Sequence, residues 1–166
     1  MKNVIKILLL FILCSAHTCR PIPEENENCH LTIYFSNNSE KNLRVTEVFV
    51  HQIFFPDPFD TKTLSSTAEL QKYKINSSEQ NNRDAMYSNL RCYEDIFKRD
   101  TYSDEVYVYI FDAELIENTP WEVVTRDYLV LKRYDLTLSD LQRLDWRVTY
   151  PPTEAMKDIK QYPPYG

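Results

Sequence analysis

Gly166, the final residue, is the only glycine in this chain. Glycine adopts positive φ without steric cost and lets backbone approach a ligand closely. A P-loop, a dinucleotide-binding fingerprint and a nucleophile elbow each need glycine at fixed positions, so none of them can be built here. Turns fall instead to Asn, Asp, Ser and Pro, which tolerate or pre-set turn dihedrals. Asn37-Asn38-Ser39, Pro56-Asp57-Pro58 and Asn81-Asn82-Arg83-Asp84 carry that chemistry.

The amino terminus reads as an export signal. Met1–Cys19 places Lys2 and Lys6 ahead of an apolar run from Ile7 to Leu13, followed by small or polar residues and a cysteine. The run is shorter than the roughly 20 apolar residues needed to span a bilayer, and its layout is that of a cleaved leader. Two cysteines compete to carry a lipid. Cys14 follows the bulky Phe11-Ile12-Leu13, whereas Cys19 follows the smaller Ala16-His17-Thr18. The pattern resembles a bacterial lipoprotein signal with a loose lipobox of the kind seen in Bacteroidetes, with acylation (palmitate) expected at Cys19 and Cys14 as the alternative. Simple secretion after cleavage at Ala16 is the competing reading. Residues 20–28 are rich in proline and acid, as a solvated tether is, and the acidic cluster also resembles a surface-export signal of such lipoproteins. The division expected is therefore a leader over 1–19, a disordered tether over 20–28 and one globular domain over 29–166. The location expected is the bacterial envelope, as an outer-membrane lipoprotein facing the periplasm or the cell surface, with the lipid bilayer as a partner through the anchor.

Charge narrows the other partners. Loss of Lys2 and Lys6 with the leader takes the 19 basic residues to 17 against 25 acidic ones, a net charge of −8. A negative surface opposes binding to a phosphate backbone, so nucleic acid is not expected. The remaining length suits one domain with a sizeable core.

Periodicity points to strands. Leu31, Ile33 and Phe35 alternate with Thr32, Tyr34 and Ser36, the pattern of a half-buried strand. Leu43–His51 begins the same way after a polar turn, so the two are expected to form a hairpin. A short strand at Tyr73–Ile75 and a polar loop over Asn76–Asp84 follow. Ser88 or Asn89 would cap a short helix to about Lys98, with Cys92 above Ile96 and Tyr93 above Phe97. Val106–Phe111 (VYVYIF) is the strongest strand signal. Thr119-Pro120-Trp121-Glu122 reads as a capped helix start with Thr119 as N-cap, running to about Tyr128. Leu129–Tyr134 returns as strand, Thr137 opens a helix through Leu144, and Arg147–Tyr150 is the last strand, stopped by Pro151 and Pro152. Thr153–Gln161 carries one or two helical turns. The fold class expected is mainly β, an antiparallel β-sandwich-like domain with two to four short helices. An open α+β sheet is the alternative.

From Cys29 onward the chain resembles a family of small uncharacterised lipoproteins of Bacteroides and relatives. The likeness rests on Cys92–Phe97, on YIFDAELIENTPWEVV from Tyr109, on YLVLKRYDLTLSDLQRLDWRVTYPP from Tyr128, and on the closing Tyr162-Pro163-Pro164-Tyr165-Gly166. It implies a membrane-attached bacterial protein and no particular chemistry.

Three candidate chemistries remain. Cys29 and Cys92 are expected to form a disulfide in an oxidising envelope; free thiols, or a metal site with His30 and His51, are the alternatives, and the short paired spacings of thiolate zinc sites are missing. His30 and His51 each flank a predicted strand and suit edge hydrogen bonding better than general-base work. Glu94/Asp95 and Asp112/Glu114 are formal carboxylate pairs for glycoside hydrolysis, of a kind that any chain with 25 acids contains. Twelve tyrosines and two tryptophans invite a sugar-stacking reading. Trp121 and Trp146 are expected instead to be structural, each wedged between a helix and a strand. The two Tyr-Pro-Pro units suit docking, on a partner or on the domain itself. The function expected is a non-catalytic binding or structural module without cofactor or metal, with a protein or glycan partner. A periplasmic or surface hydrolase acting on glycans is the alternative.

Overall fold

A computed structural model describes residues 23–51, 74, 75, 77, 83–87, 91–98 and 102–165. Strands dominate, in two sheets. The first holds β1 (Thr32–Asn37), β4 (Arg83–Tyr87) and β7 (Arg147–Tyr150), in the order β4-β1-β7. The second holds β2 (Leu43–His51), β3 (Lys74–Ile75), β5 (Tyr102–Asp112), β6 (Lys132–Thr137) and β8 (Lys160–Tyr162), in the order β3-β2-β5-β6-β8. Among the described residues the helices are α1 (Tyr93–Phe97), α2 (Ala113–Glu117), α3 (Trp121–Arg126) and α4 (Leu138–Arg143), with a 3-10 turn at Glu154–Met156. The chain is a β-rich fold with short helices, as its alternation predicts.

β5 explains the layering. Val106, Val108 and Ile110 face inward and join Ile33, Phe35 and Val148 of the first sheet in one core with Val45, Tyr134 and Leu136. Tyr107, Tyr109 and Phe111 face the other way and are buried under Ile116 and Val124 of α2 and α3, with Trp121 and Leu129 alongside. The unbroken run of strand formers thus reflects a strand covered on both faces.

On that outer face β6 contributes a charged pair in place of apolar side chains. Arg133 donates to Asp135 through Nε at 2.6 Å and Nη2 at 2.9 Å, and both side chains are buried. The guanidinium lies over the Tyr107 ring, 5.1 Å from its centroid. Lys160 of β8 also reaches Asp135 at 3.1 Å. A buried ion pair holds its place only when further bonds satisfy it, as they do here.

Several expectations give way to other pairings. β1 and β2 do not form a hairpin. β1 pairs antiparallel with β4 and parallel with β7, while β2 lies in the other sheet against β5 and β3. Both strands carry one apolar face, and those faces meet across the core rather than side by side; alternation fixes a strand's inward face and leaves its neighbour open. The parallel β1–β7 pair likewise departs from an all-antiparallel layout. Thr119 is not the N-cap of α3. Pro120 takes that position with extended backbone, and Thr119 Oγ1 donates to Leu115 O at 2.6 Å, closing the preceding helix instead. That helix, α2, has its own cap: the Asp112 carboxylate accepts from the backbone of Glu114 and Leu115. Arg83 and Asp84 lie in β4 rather than in a loop. Leu129–Leu131 precede β6, and the segment after Thr153 gives a single 3-10 turn and then β8. Ser88 and Asn89 and the Pro56-Asp57-Pro58 turn lie outside the described residues, as do Cys14 and Cys19. The Thr137 helix start forms with a full capping box, Thr137 Oγ1 accepting from the Asp140 backbone while Asp140 accepts from that of Thr137.

Candidate functional site

Five of the sequence candidates, Cys29, Cys92, His30, Glu94 and Trp146, meet at one corner. Cys29 and Cys92 are joined, with Sγ atoms 1.99 Å and Cα atoms 4.8 Å apart. The bond ties the segment before β1 to the start of α1. Next to it, His30 is held by Glu94 of α1 twice over: its backbone N–H donates to Oε2 at 2.9 Å, and its Nδ1 lies 2.6 Å from Oε1. Burial disfavours the charged form of Glu94, yet these bonds to His30 and one from its own backbone outweigh it and hold the carboxyl below the usual range. One face of the His30 ring stacks on Trp146, centroids 4.2 Å apart and planes 13° apart.

Trp146 is 3% exposed and enters the main core. Its backbone explains its position. α4 ends at Arg143, and Asp145 and Trp146 then take φ of 52° and 57° in turn. A glycine is usual in that region, and a bulky side chain there costs about 1–2 kcal/mol. The site holds it by burial, by the His30 stack, and by bonds from Trp146 N to Leu141 O at 2.8 Å and from Tyr34 N to Trp146 O at 2.8 Å. Beneath it Tyr93, fully buried, donates its hydroxyl to Glu47 of β2. Burial pushes the Glu47 carboxyl up to about 7, against the pull of that bond.

This corner has a histidine, two carboxylates and two aromatic rings, and each is committed to another. The formal acid pairs do not converge. Glu94 is buried on His30 while Asp95 is exposed, and Asp112 caps α2 and pairs with Lys41 at 2.6 Å while Glu114 is exposed. His51 closes β2 opposite Tyr102. Among the described residues no group of three or more His, Cys, Asp or Glu could hold a metal ion. Trp121 lies half-buried against Phe111, ring centroids 6.2 Å apart, on the outer face of the second sheet.

The other end of β7 is built differently. There Tyr150, Pro151 and Pro152 face Pro163, Pro164 and Tyr165 across a groove of about 410 Å³ that Leu131 and Lys132 complete. β8 pairs with β6 so that Tyr162 sits opposite Arg133, which brings the second Tyr-Pro-Pro unit alongside Lys132. The Tyr134 hydroxyl donates to Thr149 O at 2.8 Å and ties the end of β7 to β6, which brings in the first unit. Lys132 is only 7% exposed. Its ammonium donates to Pro163 O at 2.5 Å and Pro164 O at 3.1 Å, and burial lowers its pKa. Tyr165, 39% exposed, directs its hydroxyl to Glu154 at 3.3 Å. The repeat of Tyr-Pro-Pro across a short turn is the sequence signal for this site, since both copies close strands that return to one end of the molecule.

No family model, curated protein or solved structure matches the chain. Among the described residues no helix is long and apolar enough to cross a membrane.

Proposed function

We propose that this chain is a lipid-anchored module of a bacterial envelope that binds a ligand in the Tyr-Pro-Pro groove and performs no catalysis. The anchor belongs to Cys19, with the membrane reached through residues 20–28, as the leader and the lipoprotein resemblance suggest. One observation carries the binding reading: two Tyr-Pro-Pro segments converge on a groove within the roughly 300–1,000 Å³ range of small-ligand pockets. Exposed tyrosine beside proline is also a rigid contact surface with little side-chain entropy to lose. A glycan hydrolase is the second reading, and the His30–Glu94 pair is what favours it. Both Glu94 oxygens, however, accept bonds from His30, and the His30 ring is stacked on Trp146. That fits a strut beside the disulfide better than a proton shuttle.

The test is an immobilised glycan array probed with the membrane-extracted protein and with its Tyr165→Ala variant. Retention that Tyr165→Ala abolishes supports the groove. Retention that survives Tyr165→Ala but is lost in His30→Gln, or release of cleaved sugar, overturns it in favour of the hydrolase.

A further inference from the structure

The groove holds the Lys132 charge, and among the described residues that line it there is no acid to balance it. Pro151, Pro152, Pro163 and Pro164 contribute carbonyl oxygens and no N–H donors. The donor in the groove is the Lys132 ammonium, since the Tyr165 hydroxyl is directed to Glu154. An ammonium has three N–H bonds to donate. Lys132 places two on Pro163 O and Pro164 O, and no carboxylate among the described residues pairs with it. A buried cation held only by neutral carbonyls is the arrangement that gains most from an incoming anion.

Resting on the groove as a binding site, we infer that its ligand is an acidic sugar, a hexuronate-bearing glycan whose carboxylate accepts the third Lys132 hydrogen while its rings lie against Tyr150 and Tyr165. The chemistry of the walls selects among anions. Proline carbonyls supply acceptors, so a fitting ligand is rich in donors, and sugar hydroxyls are. A peptide laid along the groove would leave most of its own carbonyls facing four prolines that have no N–H to donate. The tyrosine and proline faces suit the apolar face of a pyranose ring. The lowered pKa of Lys132 is consistent with a missing counter-charge, since burial lowers it and no neighbouring acid offsets that effect.

Calorimetry of the full processed chain with digalacturonate and with neutral galactobiose tests this. Digalacturonate should bind at least tenfold more tightly than galactobiose. Lys132→Met, which keeps the apolar stem, should remove that preference, and Tyr165→Ala should weaken digalacturonate at least tenfold. Equal binding of the two sugars overturns the acidic class and leaves the groove as a binding site. Digalacturonate binding unchanged in both variants overturns the site as well. Failure to bind digalacturonate, or tighter binding of a tetraglutamate peptide in competition at the same groove, also overturns the inference. Where Lys132→Met does not fold by circular dichroism, the galactobiose comparison and Tyr165→Ala decide the question.

Discussion

The two ends of β7 use aromatic residues in opposite ways. At its start Trp146 is buried, stacked on His30, in tilted contact with the Tyr93 ring and set beside the Cys29–Cys92 bond. At its end Tyr150 leads into an open groove whose far wall, Tyr165, is well exposed. The same four-residue strand thus joins a corner in which His30 is bonded to Glu94 and Tyr93 to Glu47 to a groove in which a buried cation faces uncharged walls. Composition alone treats all of these aromatics as one class; the difference lies in whether a side chain's neighbours already satisfy it.

The largest expected effect breaks the closed corner. Trp146→Ala should lower stability by about 3–5 kcal/mol, as truncation of a core aromatic does, read from urea denaturation. Reduction of Cys29–Cys92 should cost about 4 kcal/mol for a bridge spanning 63 residues; a bridge that is reduced without change in the denaturation midpoint would show that α1 holds the corner alone.

Glu47 adds a pH signature. Its folded carboxyl titrates at about 7 rather than at the ordinary 4.5, so the folded state binds the extra proton between those values. Stability should therefore fall as pH rises from about 4.5 through 7, by on the order of 3 kcal/mol in all. Glu47→Gln should flatten that slope, and a slope unchanged in the variant would assign it to another group. Trp121→Ala, on a half-buried ring, should cost less than Trp146→Ala in the same assay. The smallest effect has the opposite sign: Asp145→Gly relieves the positive φ and should stabilise by under about 1 kcal/mol.

How far these features were legible in the sequence follows from the range of the forces involved. Local chemistry could be read directly. The VYVYIF run is the heart of β5, and Thr137 with Asp140 caps α4, because strand alternation and helix caps involve neighbours in sequence. Partner choice could not. Ile33 and Phe35 announce an inward face but not whether β2 or β7 lies beside it, and the parallel β1–β7 pair depends on contacts more than a hundred residues apart. Thr119 misled for a related reason: a hydroxyl before proline suits a helix start, yet the short α2 just before it offered Leu115 O as a nearer acceptor. The place of Trp146 between a helix and a strand is legible locally, while its stack on His30 depends on the fold. The groove was half legible, since the two Tyr-Pro-Pro units are plain but Lys132, the cation in its wall, carries no local mark.

One paired measurement tests the contrast most directly: melting temperature and array retention determined together for Trp146→Ala and Tyr165→Ala. The account predicts a crossing. Trp146→Ala melts far lower or fails to accumulate, whereas Tyr165→Ala stays within about 0.5 kcal/mol of the parent protein, as surface substitutions usually do, and loses the retained ligand. A Trp146→Ala protein that keeps its melting temperature and loses the ligand, while Tyr165→Ala binds as before, would contradict it and move the binding site to the corner.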